Sequence, residues 1–328
     1  MKYLFSYVLL AWTFVGFSQF EKATPYAETI TQQDLKELLY VYASDFFQGR
    51  ETGTLGQKRA VNFLKEFYQH RSITAASGTE DYFQPMELTI KGKKVSTENV
   101  VAIIEGKSKP NEYVVISSHL DHVGMNDGKV YNGADDDGSG SVALLEIAEA
   151  FKAAVEAGEG PERSIIFLHV SGEEKGLLGS KYYTNNPLYP LANTVANLNI
   201  DMVGRTDPKR ESENRNYIYL IGSDRLSTQL HEISEAANKA TTQIELDYTY
   251  NAEDDPNRFY FRSDHYNFAK NNIPVIFYFN GTHADYHKAT DTVEKIEFDL
   301  LQERTKLVFY TAWEIANRAE RIIVDKAK

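Results

Sequence analysis

Short, mostly apolar runs recur along this chain of 328 residues and constrain its fold more than any other feature. Each run has the length of a strand, and helix-like segments with apolar residues every three or four positions lie between them. The six runs cover residues 100–104, 113–116, 165–170, 196–200, 217–221 and 275–279. Such apolar strands belong to a sheet that is buried on both faces, so the pattern predicts an α/β fold with helices covering the sheet.

The segments between and around the strands give a coarse domain plan. Helical spacing of apolar residues predicts helices within 34–46, 60–67, 141–151 and 300–319. The polar, proline-containing stretch 19–31 is predicted to be an extended arm. We expect a single domain over residues 19–328, in which residues 205–262 form an insertion on the substrate side.

The first 18 residues have the pattern of a secretory signal peptide. Lys2 provides the positive start, residues 3–17 are nearly all apolar, and small Gly16 and Ser18 precede a potential cleavage site before Gln19. The apolar run is shorter than the ~20 residues that a spanning helix needs. We therefore expect export to the periplasm or beyond, without stable membrane insertion after cleavage.

Charge and cysteine content exclude several classes of function. The formal net charge is −12 and the pI is about 5.2, which argues against nucleic acid as a partner. The chain has no cysteine, which excludes disulfides, thiolate metal sites and cysteine nucleophiles.

Acidic residues and histidines follow the predicted strands at their carboxyl ends. His119, Glu173–Glu174 and Asp201 come within four residues after the ends of three of the apolar runs. Ligands of α/β sheets bind at the carboxyl ends of the strands, so these side chains are expected to lie together. The acids 135–137 lie between glycines and precede an apolar helix, unlike an EF-hand loop with its alternating acids and final Glu. Together these groups predict a site for two divalent metal ions that share a carboxylate.

The spacing also suggests which side chains bind the metals, which one accepts a proton and which one orients a ligand. Of the adjacent pair Glu173–Glu174, one carboxylate can bind metal while the other takes a proton from water. Asp121 lies two residues after His119, so it can orient a ligand from behind. Either His283 or His287 can provide a late ligand.

Several motifs in order resemble one enzyme family. They are SSHLDHVG, NGADDDGSGSVALLE, SGEEKGLLGSKYY, NIDMVGR, RSDHYNF, IPVIFYF and DYHKATDT, between residues 117 and 292. They resemble the dizinc aminopeptidases of peptidase clan MH, which include secreted bacterial leucyl aminopeptidases and have glutamate carboxypeptidases and glutaminyl cyclases as relatives. The resemblance implies a three-layer α/β/α sandwich with a central mixed, mostly parallel sheet, the phosphorylase/hydrolase-like fold of zinc peptidases.

The resemblance also implies the cofactor, the substrate class and a role for each residue. It implies two Zn²⁺ per chain and peptide substrates with a free N-terminus. One zinc would be held by His119, Asp135 and Asp201, and the other by Asp135, Glu174 and His287. Glu173 would be the general base, and Asp121 the carboxylate behind the ligands. The peptide bond after the bridging Asp135, Asp135–Asp136, would be cis.

The substrate side is predicted less directly. The resemblance puts the segment RSDHYNF near the site, and we expect Tyr260, Phe261, Asp264 and His265 to bind substrate. Ser263-Asp264-His265 does not indicate a catalytic triad, because adjacent residues rarely have the mutual geometry that a triad needs.

Two alternatives stay open at this stage. A glutaminyl cyclase-like enzyme would share the fold and much of the ligand set, and a non-catalytic binding domain could use the same fold. Carboxylate-rich sites also accept cobalt or manganese in place of zinc.

Overall fold

The computed structural model describes residues 19–79 and 81–326, so the predicted signal peptide lies outside the described residues. The helices are α1 (19–27), α2 (Gln32–Tyr42), α3 (Leu55–His70), α4 (Gly140–Glu156), α5 (Leu178–Asn185), α6 (Thr228–Ala240), α7 (His265–Ala269) and α8 (Phe298–Asn317). The strands are β1 (Thr74–Ala75), β2 (Phe83–Ile90), β3 (Lys93–Ile104), β4 (Lys109–His119), β5 (Gly124–Asn126), β6 (Lys129–Tyr131), β7 (Arg163–Val170), β8 (Thr194–Ile200), β9 (Tyr217–Ile221), β10 (Glu245–Asp247) and β11 (Val275–Phe279). Among the described residues, no helix combines the length and hydropathy that crossing a bilayer requires.

One mixed sheet of nine strands forms the centre of the fold. Its order is β1-β3-β7-β4-β8-β11-β9-β10, with β2 also paired to β3. The central strands β7, β4, β8 and β11 run parallel to one another. Antiparallel pairings lie to either side, β3 with β7 and β9 with β11. The parallel centre places four strand ends at one edge, where the predicted ligands follow.

Helices cover both faces of this sheet. Successive side chains of a strand point to opposite sides, so each central strand contributes to two cores. Val114 and Ile116 of β4 pack in the larger core with α4 and α8. Val115 packs in a second core together with Tyr183 of α5 and Phe268 of α7. The predicted three-layer α/β/α sandwich is therefore confirmed, with most helices on one face.

The N-terminal arm is wrong as predicted, because residues 19–27 are helical. Tyr26 stacks on Trp313 of α8 with ring centroids 5.6 Å apart, and Phe20 meets Tyr310 edge-on. Phe20, Ala23 and Ala27 are buried at helical spacing. The proline and the polar residues between these positions favoured an extended arm in the sequence prediction, so the apolar stripe of a helix was missed.

The strands β2 and β10 were not predicted from the sequence, whereas β9 was. The long hairpin of β2 and β3 pairs Phe83 with Val100 through Ile90 with Lys93. Burial alternates along β2, so this strand lacks the continuous apolar run that marked the central strands. The stretch 205–262 contains β9, α6 and β10, so part of it extends the central sheet.

Candidate metal centre

The predicted ligands meet at the carboxyl edge of the parallel strands. His119 is the last residue of β4, and Asp201 directly follows β8. Glu174 lies in the turn after β7, and His287 lies in the loop after β11. The strand ends therefore bring together side chains that are up to 168 positions apart in the sequence, as the pattern predicted.

Asp136 lies in the middle of this group and faces two sets of side chains. Its Oδ1 is 3.2 Å from His119 Nε2, which is also 3.5 Å from Asp201 Oδ1. Its Oδ2 is 3.1 Å from His287 Nε2, which is in turn 3.1 Å from Glu174 Oε2. Each carboxylate oxygen of Asp136 thus faces a different cluster, which is the arrangement of a carboxylate that bridges two metal ions.

Asp135, the predicted bridge, faces away from this group. Its Oδ1 accepts a hydrogen bond from the backbone N–H of Gly204 at 2.7 Å, and its Oδ2 contacts His283 Nε2 at 3.1 Å. Asp136, and not the predicted Asp135, therefore has the placement expected of a bridging carboxylate, and His283 contacts Asp135 and not the cluster. The sequence does not show which of three consecutive acids faces the cluster, because the direction of each side chain depends on the backbone turns of the loop.

The cis peptide bond is also one residue later than predicted. It joins Asp136 to Asp137 and not Asp135 to Asp136. Asp137 also lies near His119 and Asp201, close enough for all three to hold one ion. Its oxygens, however, accept hydrogen bonds from the backbone N–H groups of Met202, Gly140 and His119. Asp137 therefore shapes the loop, and Asp136 is left free for a cation.

Asp121 supports the site in two ways. Its backbone oxygen lies 3.0 Å from His119 Nδ1, which leaves Nε2 of that ring facing the carboxylates. Its buried carboxylate accepts from Thr52 Oγ1 at 2.7 Å and from the backbone N–H of Glu173 at 3.1 Å. Asp121 therefore lies behind the cluster, where the sequence put it, although its side chain holds Glu173 and not His119.

Asp201 is held by a residue that sequence reasoning did not assign to the site. Ser263 donates a hydrogen bond from Oγ to Asp201 Oδ2 at 2.6 Å, and Asn199 donates to Ser263 at 2.8 Å. These bonds leave Asp201 Oδ1 facing His119.

Arg50 holds together the two loops that carry the cluster. It is 1% exposed and donates to the carbonyl oxygens of Leu120, Asn132 and Gly133 at 3.0, 2.7 and 2.8 Å. Its guanidinium also lies over the ring of Tyr42. The first carbonyl belongs to the segment after β4, and the other two precede the acidic loop, so Arg50 fixes the distance between them.

The electrostatics of the cluster match a site for cations. Burial alone would lower the pKa of His287, but Asp136 and Glu174 raise that pKa to about 10. Burial would raise the pKa of Glu174, yet His122 and His287 lower it to about 2. The carboxylates of the cluster thus stay ionised and are stabilised by positive charge nearby.

Several buried polar atoms of the cluster have no hydrogen-bond partner among the described residues. They include Asp136 Oδ2, Glu174 Oε1 and His122 Nδ1. Buried polar groups are normally paired, and leaving one unpaired costs about 1–3 kcal/mol. Oxygen and imidazole donors are ligands that zinc accepts, so the residues present fit metal ions.

Glu173 lies next to the cluster, and its side chain is not one of the predicted metal ligands. Its side chain is half-buried and lines a cavity together with His119, Asp136 and Asp201. Desolvation raises the pKa of its carboxyl group, against the lowering effect of His119. A carboxylate with a raised pKa beside a candidate metal centre is suited to accept a proton from water.

The cavity that opens onto the cluster has a volume of about 30 Å³ and an aromatic wall. Phe259, Phe277, Phe279 and Tyr286 line this wall, and Arg262 adds a cation beside the ring of Phe259.

None of the four side chains predicted to bind substrate lines this cavity. Asp264 and His265 are fully buried behind it, and His265 stacks on Phe277. Residues 259–261 form one tight helical turn, which points Phe259 inward and leaves Tyr260 and Phe261 on other sides. Of residues 259–265, Phe259 and Arg262 line the cavity, and substrate binding by the four predicted side chains stays a prediction.

Comparison with known proteins places the chain in a family. A model of peptidase family M28 matches residues 99–312. Leupeptin-inactivating enzyme 1 of Streptomyces exfoliatus is 32% identical over 247 residues, which cover 75% of this chain and 47% of that protein. The chain therefore spans about half the length of that relative.

Two further comparisons cover more of both chains. A protein of Arthroderma otae named "Probable leucine aminopeptidase" is 28% identical over 300 residues, 87% of this chain and 77% of the relative. The structure of a zinc aminopeptidase from Bacillus subtilis superposes with a TM-score of 0.68 at 17% identity, over 91% of this chain and 97% of that one. At this identity the structural likeness concerns the fold.

Proposed function

Because this chain belongs to peptidase family M28, we propose that it is an exported, zinc-dependent aminopeptidase that removes N-terminal residues from peptides. The observation that carries the proposal is the placement of Asp136, whose two oxygens face His119 on one side and His287 on the other at 3.2 and 3.1 Å. Names of relatives support the activity, and the sequence pattern of residues 1–18 supports export.

Two groups of side chains would hold the metals. His119, Asp136 and Asp201 form the first group, and Asp136, Glu174 and His287 form the second. Zinc bound there would supply a Lewis acid and lower the pKa of a water molecule toward ~7. The ligand set otherwise agrees with the sequence prediction, with Asp136 in place of Asp135.

Glu173 carries the proton during hydrolysis. Its carboxylate accepts a proton from the attacking water and later gives it to the leaving amine of the peptide. Asp121 keeps Glu173 in place through the bond to its backbone N–H, at 3.1 Å. Neither residue is needed as a metal ligand for this role.

The surroundings favour the end of a peptide over its middle. The cavity has a volume of about 30 Å³, and Asp136, Glu173 and Asp201 line it. A free α-amine could bind at a metal ion or a carboxylate of this site, whereas the acylated nitrogen of a blocked N-terminus carries no charge and is a poor ligand. The aromatic wall of Phe259, Phe277 and Phe279 suits an apolar N-terminal side chain.

A substrate panel tests the proposal on the zinc-loaded protein. Peptides with free N-termini, their N-acetyl counterparts and peptides beginning with Gln are incubated side by side, and products are identified by mass. We expect release of single residues from the free peptides only. Equal cleavage of acetylated peptides would overturn the aminopeptidase assignment, and cyclisation of N-terminal Gln without hydrolysis would identify a cyclase.

A further inference from the structure

His122 lies beside the second group of proposed ligands, which consists of Asp136, Glu174 and His287, but is not a member of it. It is fully buried, and its Nδ1 is 3.0 Å from Glu174 Oε1 and 3.6 Å from Asp136 Oδ2. Its ring also meets the ring of His287 edge-on, with centroids 5.8 Å apart. His122 therefore faces the same space as Asp136, Glu174 and His287.

The contacts of His122 are not hydrogen bonds. Nδ1 of His122, Oε1 of Glu174 and Oδ2 of Asp136 are all buried and lack a hydrogen-bond partner in residues 19–79 and 81–326, although they lie close together. If the imidazole simply donated to a carboxylate, two of these atoms would be satisfied at once. Polar atoms that face a common point without pairing mark a place where a cation belongs.

The distances among the four side chains match those of ligands around one zinc ion. Zinc–nitrogen and zinc–oxygen bonds are about 2.0–2.2 Å, so tetrahedral ligand atoms lie roughly 3.3–3.5 Å apart. The measured separations are 3.1 Å from His287 to Asp136, 3.1 Å from His287 to Glu174, and 3.0 and 3.6 Å from His122 to the two carboxylates.

We propose that His122 is a fourth protein ligand of the metal ion held by Asp136, Glu174 and His287. This inference rests on the proposed function, since it needs the two metal ions. Four protein ligands close a tetrahedral zinc site, whereas a site with three keeps a position for water or substrate. The open position would then be on the side of His119 and Asp201, next to Glu173.

The local chain is built to keep the His122 ring in this place. Gly133 packs directly on it, and a Cβ at residue 133 would lie 2.5 Å from two carbon atoms of the ring. Gly133 also has φ of +55°, which favours glycine. The carbonyl of Gly133 is one of the acceptors of Arg50, so the loop cannot move away easily.

X-ray absorption on the unmodified protein, loaded with two equivalents of zinc, tests the proposal directly. The outer-shell scattering from imidazole rings should correspond to three histidines shared by two zinc ions, namely His119, His122 and His287. A signal for only two histidines would overturn the proposal. This measurement needs no variant and thus does not depend on how a substituted protein folds.

Calorimetric zinc titration of His122→Ala provides a second test, with His70→Ala as the matched control at an exposed position of α3. We expect one of the two sites of His122→Ala to lose roughly 100-fold or more in affinity, beyond what loss of an outer partner causes. The other site and the control should be unchanged. Unaltered binding at both sites in a folded variant would refute the proposal.

The outcomes separate this inference from the proposed function. If the unmodified protein binds no zinc, the metallopeptidase proposal itself fails. If it binds two zinc ions and releases N-terminal residues, but only two histidines coordinate them, the function stands and the role of His122 fails.

Discussion

The carboxylate of Asp121 accepts a hydrogen bond from the backbone N–H of Glu173 at 3.1 Å. This bond joins the segment after β4 to the turn after β7, which are neighbouring parallel strands. The second oxygen of Asp121 is held by Thr52 at 2.7 Å. The position of Glu173 at the cavity thus depends on a carboxylate that itself does not line the cavity.

Replacing Glu173 by Gln should abolish most of the activity while leaving metal binding intact. The amide has the size of the carboxylate but cannot accept a proton, and general-base catalysis contributes about 10²–10⁴-fold. Turnover of an aminoacyl-nitroanilide and zinc content are measured on the same sample. Glu51→Gln, at a half-buried position paired with Lys175, serves as the control and should keep full activity. Full activity in zinc-loaded Glu173→Gln would remove Glu173 from the mechanism.

Asn substitutions at two adjacent acids distinguish the bridging residue. Asp136→Asn should lower zinc content strongly, because its two oxygens face both ligand groups. Asp135→Asn should retain zinc but lose about 1–3 kcal/mol of stability, since the amide oxygen can still accept from the backbone N–H of Gly204 whereas the oxygen that contacts His283 is replaced by an uncharged NH2 group. Zinc content and denaturant unfolding are measured for both. The reverse pattern would restore Asp135 as the bridge.

Arg50→Met should weaken both the fold and the metal site. Three carbonyl oxygens lose a charged donor, so we expect a loss of about 3 kcal/mol or more in unfolding free energy. Zinc affinity should fall with it, because the loops that carry His119 and Asp136 are no longer held at a fixed distance. Arg59→Met, a half-buried arginine on α3, is the control and should change either quantity little. Unaltered zinc affinity in Arg50→Met would limit Arg50 to a structural role.

Glu146 should make stability depend on pH away from the site. This α4 residue is 3% exposed, its Oε1 has no hydrogen-bond partner within the part of the chain that the structure describes, and burial raises its pKa to about 8. The folded state therefore holds a proton that the unfolded chain releases near its ordinary pKa of 4.5. Between these values stability should fall as pH rises, by about 1.4 kcal/mol per pH unit from this group.

Glu146→Gln should remove this dependence. We expect the variant to be more stable than the unmodified protein at pH 8, with the difference shrinking toward pH 4.5. Denaturant unfolding across that range measures it. A constant difference at every pH would mean that Glu146 does not titrate as burial implies.

The sequence was most informative where chemistry and strand ends coincide. Four of the predicted ligands lie in the cluster, namely His119, Glu174, Asp201 and His287. They could be predicted because apolar runs indicate the central strands, and the carboxyl ends of parallel strands lie at one edge of the sheet. The register within the acidic loop could not be predicted. Whether Asp135 or Asp136 faces the ligands depends on backbone turns that three identical residues do not encode.

Other parts of the site depend on contacts between distant segments. His122 follows Asp121 by one residue and carries no motif of its own, yet it faces Glu174 across the fold. Arg50 looked like part of a loop until the structure showed it against Leu120 and Gly133. Phe259 reaches the cavity only because a helical turn rotates it away from Tyr260.

Adding zinc back to chelator-treated protein while following hydrolysis of leucyl-nitroanilide is the most direct test of the central claim. Carboxylates and histidines converge on one space, several of their buried atoms have no hydrogen-bond partner among the described residues, and Glu173 lies beside that space. We predict no hydrolysis without metal, and recovery of activity as zinc binds with a stoichiometry of two. Hydrolysis that persists at full rate without bound metal would contradict the account.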